Sequence, residues 1–125
     1  MHLVGKLDKA VYECIKACII TDEVIITDER IKHIIDRRGQ FFYDKYFCEF
    51  HNIIRNPDYI FKDKENTIMV CKEYFVDGKF VNIVIRLVVS SDNPEYKNSI
   101  ITVIGENKKR FQQRLRNNEP LYKRE

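Results

Sequence analysis

Thr67–Val76 (TIMVCKEYFV), the pair Asp77-Gly78 and Lys79–Ser90 (KFVNIVIRLVVS) decide the fold. Two runs rich in β-branched and aromatic residues flank a dipeptide that favours chain reversal, so the segment reads as an antiparallel hairpin. Along the second run Val81, Ile83, Ile85, Leu87 and Val89 point to one side and must meet helices. Phe80, Asn82, Val84, Arg86 and Val88 point to the other.

The turn decides where Lys72 goes. A two-residue turn would set it opposite Ile83 and drive an unpaired ammonium into the core, which is costly. A three-residue loop, Asp77-Gly78-Lys79 with Gly78 at positive φ, pairs Lys72 with Val84 and places it on the face of Arg86. The three-residue loop is the expected one. In a last strand, Ser99–Gly105, the same alternation groups Asn98, Ile100, Thr102 and Ile104 on one side and Ser99, Ile101 and Val103 on the other. The more polar set is expected beside Lys72 and Arg86. Half-buried cations cost energy unless paired, so a sheet face with Arg, Lys, Asn and Thr is expected to be an anion site.

Working outward, Tyr59–Lys62 and Val24–Ile26 read as short strands, and Leu3–Ile20 as loosely extended with a turn at Asp8. Thr27 is an N-cap followed by the acidic Asp28 and Glu29, which favours a helix to Arg38 with Gly39 as its stop. A second helix, Phe41–Arg55, places Tyr43, Tyr46, Phe47, Phe50, Ile53 and Ile54 on one buried face, and Asn56-Pro57 ends it. A last helix is expected from Asn107 to Arg116. Helices followed by a run of antiparallel strands give an α+β fold, an antiparallel β-sheet with helices packed on one face.

The chain has 125 residues, 44% of them hydrophobic and 33% charged, with only 4 Gly and 3 Pro, which suits one domain over residues 1–125 and excludes a disordered tail or linker. The longest apolar run, Val81–Val89, is broken by Asn82 and Arg86 and is too short to span a bilayer. The N-terminus reaches Asp8 before an apolar stretch forms, so no secretory signal is read, and a cytoplasmic setting is expected. Of the 4 cysteines, Cys14 and Cys18 are spaced to share a helical face. Cys48 and Cys71 lack partners at zinc-site spacing, so the thiols are read as reduced and no metal is expected.

Net charge is +3, concentrated at the end: from residue 107 onward seven basic residues face two acidic ones, a net of +5 against −2 elsewhere. Such an end attracts phosphate, although a solvated helix face has the same composition. On the helix ending at Arg38, Ile31, Ile34 and Ile35 form the apolar stripe. His33 and Arg37, four apart, share the opposite side. His2 and His51 have no such basic neighbour.

His33-Ile34-Ile35-Asp36-Arg37-Arg38, Asn56-Pro57-Asp58-Tyr59-Ile60, Ile85-Arg86-Leu87, Tyr96-Lys97-Asn98-Ser99-Ile100-Ile101-Thr102 and Leu121-Tyr122-Lys123 resemble, in order and over nearly the whole chain, the phage-associated barnase/EndoU/colicin/RelE-like nucleases. Members of that family occur in phage head-morphogenesis proteins or as small prophage proteins. Its helix pattern, His-Ile-x-x-Arg-His, matches at His33 and Arg37, while its second His falls on Arg38. The resemblance implies a barnase-like sheet and a metal-independent, toxin-like endoribonuclease without a cofactor. In that chemistry a ribose 2′-OH attacks phosphorus, giving a 2′,3′-cyclic phosphate and a free 5′-OH.

His33 would then move the proton, imidazole being the side chain suited to proton transfer near neutral pH. Arg37, Lys72 and Arg86 would hold the phosphorane, with Thr102 positioning the phosphate. Arg38, Asn98, Ser99, Lys108, Lys109 and Arg110 would bind the RNA. A phage structural protein or an inhibitor protein is a further implied partner. The other reading keeps the fold without catalysis, as a domain that binds RNA or protein through its basic face.

Overall fold

The computed structural model describes residues 1–15, 19–89, 92–93 and 95–125. Cys18, spaced to share a helical face with Cys14, and the predicted strand end at Ser90 lie outside them. In chain order the elements are β1 (His2–Lys6), α1 (Lys9–Tyr12), β2 (Glu23–Ile26), α2 (Asp28–Arg38), α3 (Gln40–Tyr46) and α4 (Phe50–Arg55), then β3 (Tyr59–Lys62), β4 (Thr67–Tyr74), β5 (Lys79–Arg86), β6 (Asn98–Asn107), α5 (Lys108–Asn117) and β7 (Tyr122–Lys123). The strands form one sheet in the order β1-β2-β6-β5-β4-β3-β7. Its pairs are antiparallel except β2 with β6. The fold is therefore α+β with a mostly antiparallel sheet.

Capping explains where the helices begin and end. The Thr27 hydroxyl accepts from the Arg30 amide at 3.2 Å, Asp28 and Glu29 occupy the positive end of the helix dipole, and Arg37 and Arg38 occupy the negative end. Gly39, at φ 95° and ψ 155°, ends α2 and begins α3. Residues with a Cβ avoid this backbone region, and a Cβ here would meet no atom within 4 Å. Gly39→Ala is therefore expected to lose about 1–3 kcal/mol through backbone strain alone, read as a lower denaturant midpoint with an unchanged m-value.

The described part of the segment expected to be extended, residues 3–15 and 19–20, is not simply extended. Asp8 caps a short helix, its carboxylate accepting from the Ala10 amide at 3.0 Å, and the Tyr12 hydroxyl donates to the Ile54 carbonyl at 2.6 Å. The single helix expected over Phe41–Arg55 is divided by a 3-10 turn at Phe47–Glu49. That turn swings Phe47 outward, 41% exposed, while Tyr43, Tyr46, Phe50, Ile53 and Ile54 stay buried as the periodicity requires.

Helices cover both faces of the sheet, which corrects the expectation of one. On one face Ile34, Phe50, Ile53 and Ile54 pack against Ile68, Val70, Val81, Ile83 and Ile85. On the other, Phe111 of α5 packs with Phe61, Met69, Cys71, Phe80 and Val84, its ring stacked on Phe80 at 3.7 Å. Five cations over Lys108–Arg116 hide this stripe, which consists of Phe111 and Leu115 one helical turn apart. Beneath α5, Asn82 donates to Glu106, and Arg114 grips both oxygens of Glu106 at 2.9 and 3.0 Å.

The β4–β5 turn differs from the expected one and moves Lys72. Tyr74 pairs with Lys79 around Phe75–Gly78, so Lys72 lies opposite Val81, on the face away from Arg86. The feared burial is avoided because the lysine stem carries its Nζ to the margin, where it donates to the Asn56 carbonyl at the end of α4 at 2.9 Å.

Candidate nucleic-acid interface

The residues expected to form one site are distributed over three regions. The first lies at the end of the sheet where β5 finishes. Arg86 is paired with Asp92 at 3.2 Å and also donates to the Leu87 carbonyl. Asp92 accepts from the Val89 amide as well, and that bond, followed by Arg86, holds its carboxyl below the ordinary range. The Arg86 charge is thus met within a chain-reversal clamp. The expectation for β6 is corrected by a bulge: Val84 pairs with Thr102 and Ile85 with Ile100, leaving Ile101 as the extra residue. The bulge keeps Thr102 on the face of Arg86, brings Ser99 there, and sends Asn98 to the other face.

Asn98 is fully buried. It accepts from the Val88 amide at 2.8 Å and donates to the carbonyls of Thr21 and Glu23 at 2.7 and 3.1 Å. Its amide ties β2 to the segment leaving β5 and has no group left for phosphate.

Lys72, at the margin of the α2–α4 face, is the second region. With Lys72 and Arg86 on opposite faces, the expected convergence of His33, Arg37, Lys72, Arg86 and Thr102 does not occur.

The third region is the opposite end of the sheet, where β5 begins and β6 ends, and it gathers the remaining cations except Arg110, which lines a separate hollow with Glu106, Gln113 and Arg114. β2 pairs with β6 only at Asn98 and Ser99, and α2 packs beside the rest of β6. There the Arg38 Nε donates to the Val103 carbonyl at 3.0 Å. Arg38 thus satisfies a strand-edge acceptor while most of its side chain stays exposed. Arg37 is exposed beside it, and half-buried His33 lies one helical turn earlier.

Across Gly39, α3 presents exposed Phe41 and Lys45 four residues apart. Lys45 Nζ and the Tyr46 hydroxyl each reach Asp77 at 2.8 Å, fastening the β4–β5 turn to α3. Lys45 first, then Tyr46, holds the Asp77 carboxyl below its ordinary range, and burial with that bond pushes the Tyr46 hydroxyl up to about 12. Lys79 starts β5 opposite Asn107. Asn107 caps α5 by accepting from the Arg110 amide at 2.8 Å, so Lys108 and Lys109 emerge at this same end.

Among the described residues Arg37, Arg38, Lys79, Lys108 and Lys109 take part in no ion pair. Five cations outside ion pairs, from α2, β5 and α5, make this end positive, with Asp77 the carboxylate that Lys45 holds and Lys79 feels. Phe41, Lys45 and Lys79 were not singled out from sequence. The i, i+4 spacing of Phe41 and Lys45, outside the buried face of their helix, was the available signal.

Among the described residues no group of His, Cys, Asp and Glu could hold a metal ion, and no helix is long and apolar enough to cross a membrane. No protein-family model matches the chain, and no curated protein or solved structure matches it either.

Proposed function

We propose that the chain is an RNA-binding domain that takes the phosphodiester backbone on the basic end of its sheet. The observation that carries this reading is the gathering of Arg37, Arg38, Lys79, Lys108 and Lys109 at one sheet end without acidic partners among the described residues. Arg side chains can fork onto phosphate oxygens, and Lys adds mobile point charges. The resemblance to RNA-cleaving proteins favours RNA as the polyanion. Titration of a labelled RNA by fluorescence anisotropy at several salt concentrations tests the reading. Affinity that falls steeply with salt supports it, and absence of binding at low salt refutes it.

A second reading, the metal-independent endoribonuclease, is favoured by one feature: His33 and Arg37 share one side of α2, a turn from the basic end. His33 would transfer the proton as the 2′-OH attacks phosphorus, and Arg37 with Arg38 would stabilise the phosphorane. Arg86, Lys72 and Thr102, placed elsewhere, would act in folding or in binding more distant nucleotides. On this reading the parent cleaves total RNA in EDTA, and His33→Ala slows cleavage about 10²- to 10⁴-fold with an unchanged melt. Intact RNA after incubation with the parent leaves the binding reading alone.

A further inference from the structure

The basic end contains a hollow of about 290 Å³ between α3 and the β4–β5 turn, with Arg38, Phe41, Lys45, Tyr46, Asp77 and Lys79 in its lining; the Asp77 carboxylate is occupied by Lys45 and Tyr46. We propose that this hollow receives an unpaired nucleobase of a single RNA strand, stacked on Phe41 with the adjoining phosphates on Arg38 and Lys79. The inference rests on the RNA-binding reading and specifies which form of RNA is taken.

Phe41 carries the argument. It is 81% exposed, and its ring has no aromatic partner among the described residues, whereas Phe42, Tyr43 and Tyr46 of the same helix are all engaged with other rings. A large ring left in water beside cations offers a π-face that any base can cover, and its neighbours supply the charge that the base's phosphates need.

The surroundings are fixed before a ligand arrives. Asp77 holds both Lys45 and Tyr46, which anchors the turn against α3. The positive φ of Gly39 sets the bend between α2 and α3, placing Arg38 and Phe41 on its two sides. Duplex RNA keeps its bases paired and stacked, so it cannot offer a free base to this ring. Asp77 is already engaged by Lys45 and Tyr46, so an apolar peptide would cover Phe41 but bring no further anion to Arg38 and Lys79, which favours the nucleic acid.

The chain has no Trp, so Phe41→Trp creates a single fluorescent reporter inside the hollow. The experiment titrates the parent, Phe41→Ala and Phe41→Trp with a single-stranded RNA 12-mer and with the same sequence as a duplex, following anisotropy and, for the Trp variant, intrinsic emission. The single strand is expected to bind more tightly than the duplex and to quench Trp emission. Phe41→Ala is expected to weaken single-strand binding about tenfold, within the range for one base–aromatic stack, with duplex binding and the thermal melt unchanged. If Phe41→Ala binds the single strand as the parent does, or Trp emission does not respond, the base site is wrong although RNA binding stands. If neither RNA form binds the parent, the RNA-binding reading fails and the base site with it.

Discussion

Phe111→Ala is expected to destabilise the protein by about 3–5 kcal/mol, the usual cost of removing a buried aromatic ring. Phe111 is fully buried, with Phe80 at 3.7 Å and parallel, Tyr59 at 5.1 Å and Phe61 at 6.0 Å. The site has little means of collapsing, because three of its walls are strands of one hydrogen-bonded sheet. α5 also has little else to hold it. Leu115 is only partly buried, and the ion pair of Arg114 with Glu106 loses its geometry once the helix lifts. Urea or thermal unfolding followed by circular dichroism measures the effect, expected as a fall in melting temperature of roughly 10–20 °C. A loss below about 1 kcal/mol would mean that α5 is not a structural layer, and would also detach Lys108 and Lys109 from the basic end.

The largest functional effect is expected from reversing charge at that end. The triple variant Arg38→Glu, Lys79→Glu, Lys109→Glu changes three exposed side chains on three elements and removes no apolar contact of the core. Each phosphate contact on a single strand releases about 0.7 of a counterion, so losing three should flatten the slope of log K against log salt by about 2. At low salt the affinity itself should fall by about 10²-fold or more, since the new carboxylates repel the backbone. Arg86→Glu serves as the contrasting variant. Its charge is matched by Asp92 at the far end of the sheet, so RNA affinity should change little even if the clamp loosens. The triple variant changes the charge by −6 and Arg86→Glu by −2, so losses in that same proportion, equal per unit of charge, would show that binding follows net charge and not this surface.

Much of the fold was legible because apolar periodicity reports burial directly. The alternation over Val81–Leu87 places its odd residues against the helices, as found, and Thr27, Asp28, Glu29 and Gly39 delimit α2 as their chemistry requires. Parity was harder. The turn after Tyr74 contains four residues, and the bulge at Ile101 adds one residue to β6; neither changes composition, yet each transfers a side chain to the opposite face. Lys72 and Asn98 moved for this reason. Desolvation does penalise a buried ammonium, but Lys72 escapes it because a long stem at the sheet margin reaches the helix-end carbonyl of Asn56. α5 was misplaced because a two-residue apolar stripe scarcely rises above its charges.

The candidate site was only partly legible. Arg38, Lys108 and Lys109 could be selected by charge, but their meeting with Lys45, Lys79 and Phe41 depends on which strand ends lie together, and that follows from the pairing of Lys79 with Asn107.

The central claim is that RNA is taken at the sheet end formed by α2, α3 and the start of β5. Two-dimensional amide NMR of the ¹⁵N-labelled protein, titrated with a short single-stranded RNA, tests it most directly. The account predicts that shifts cluster at Arg37–Phe41, Lys45, Asp77–Lys79 and Lys108–Lys109, while Arg86, Asp92 and Ser99 stay in place. Shifts centred on Arg86 and Ser99, or none at saturating RNA in low salt, would contradict it.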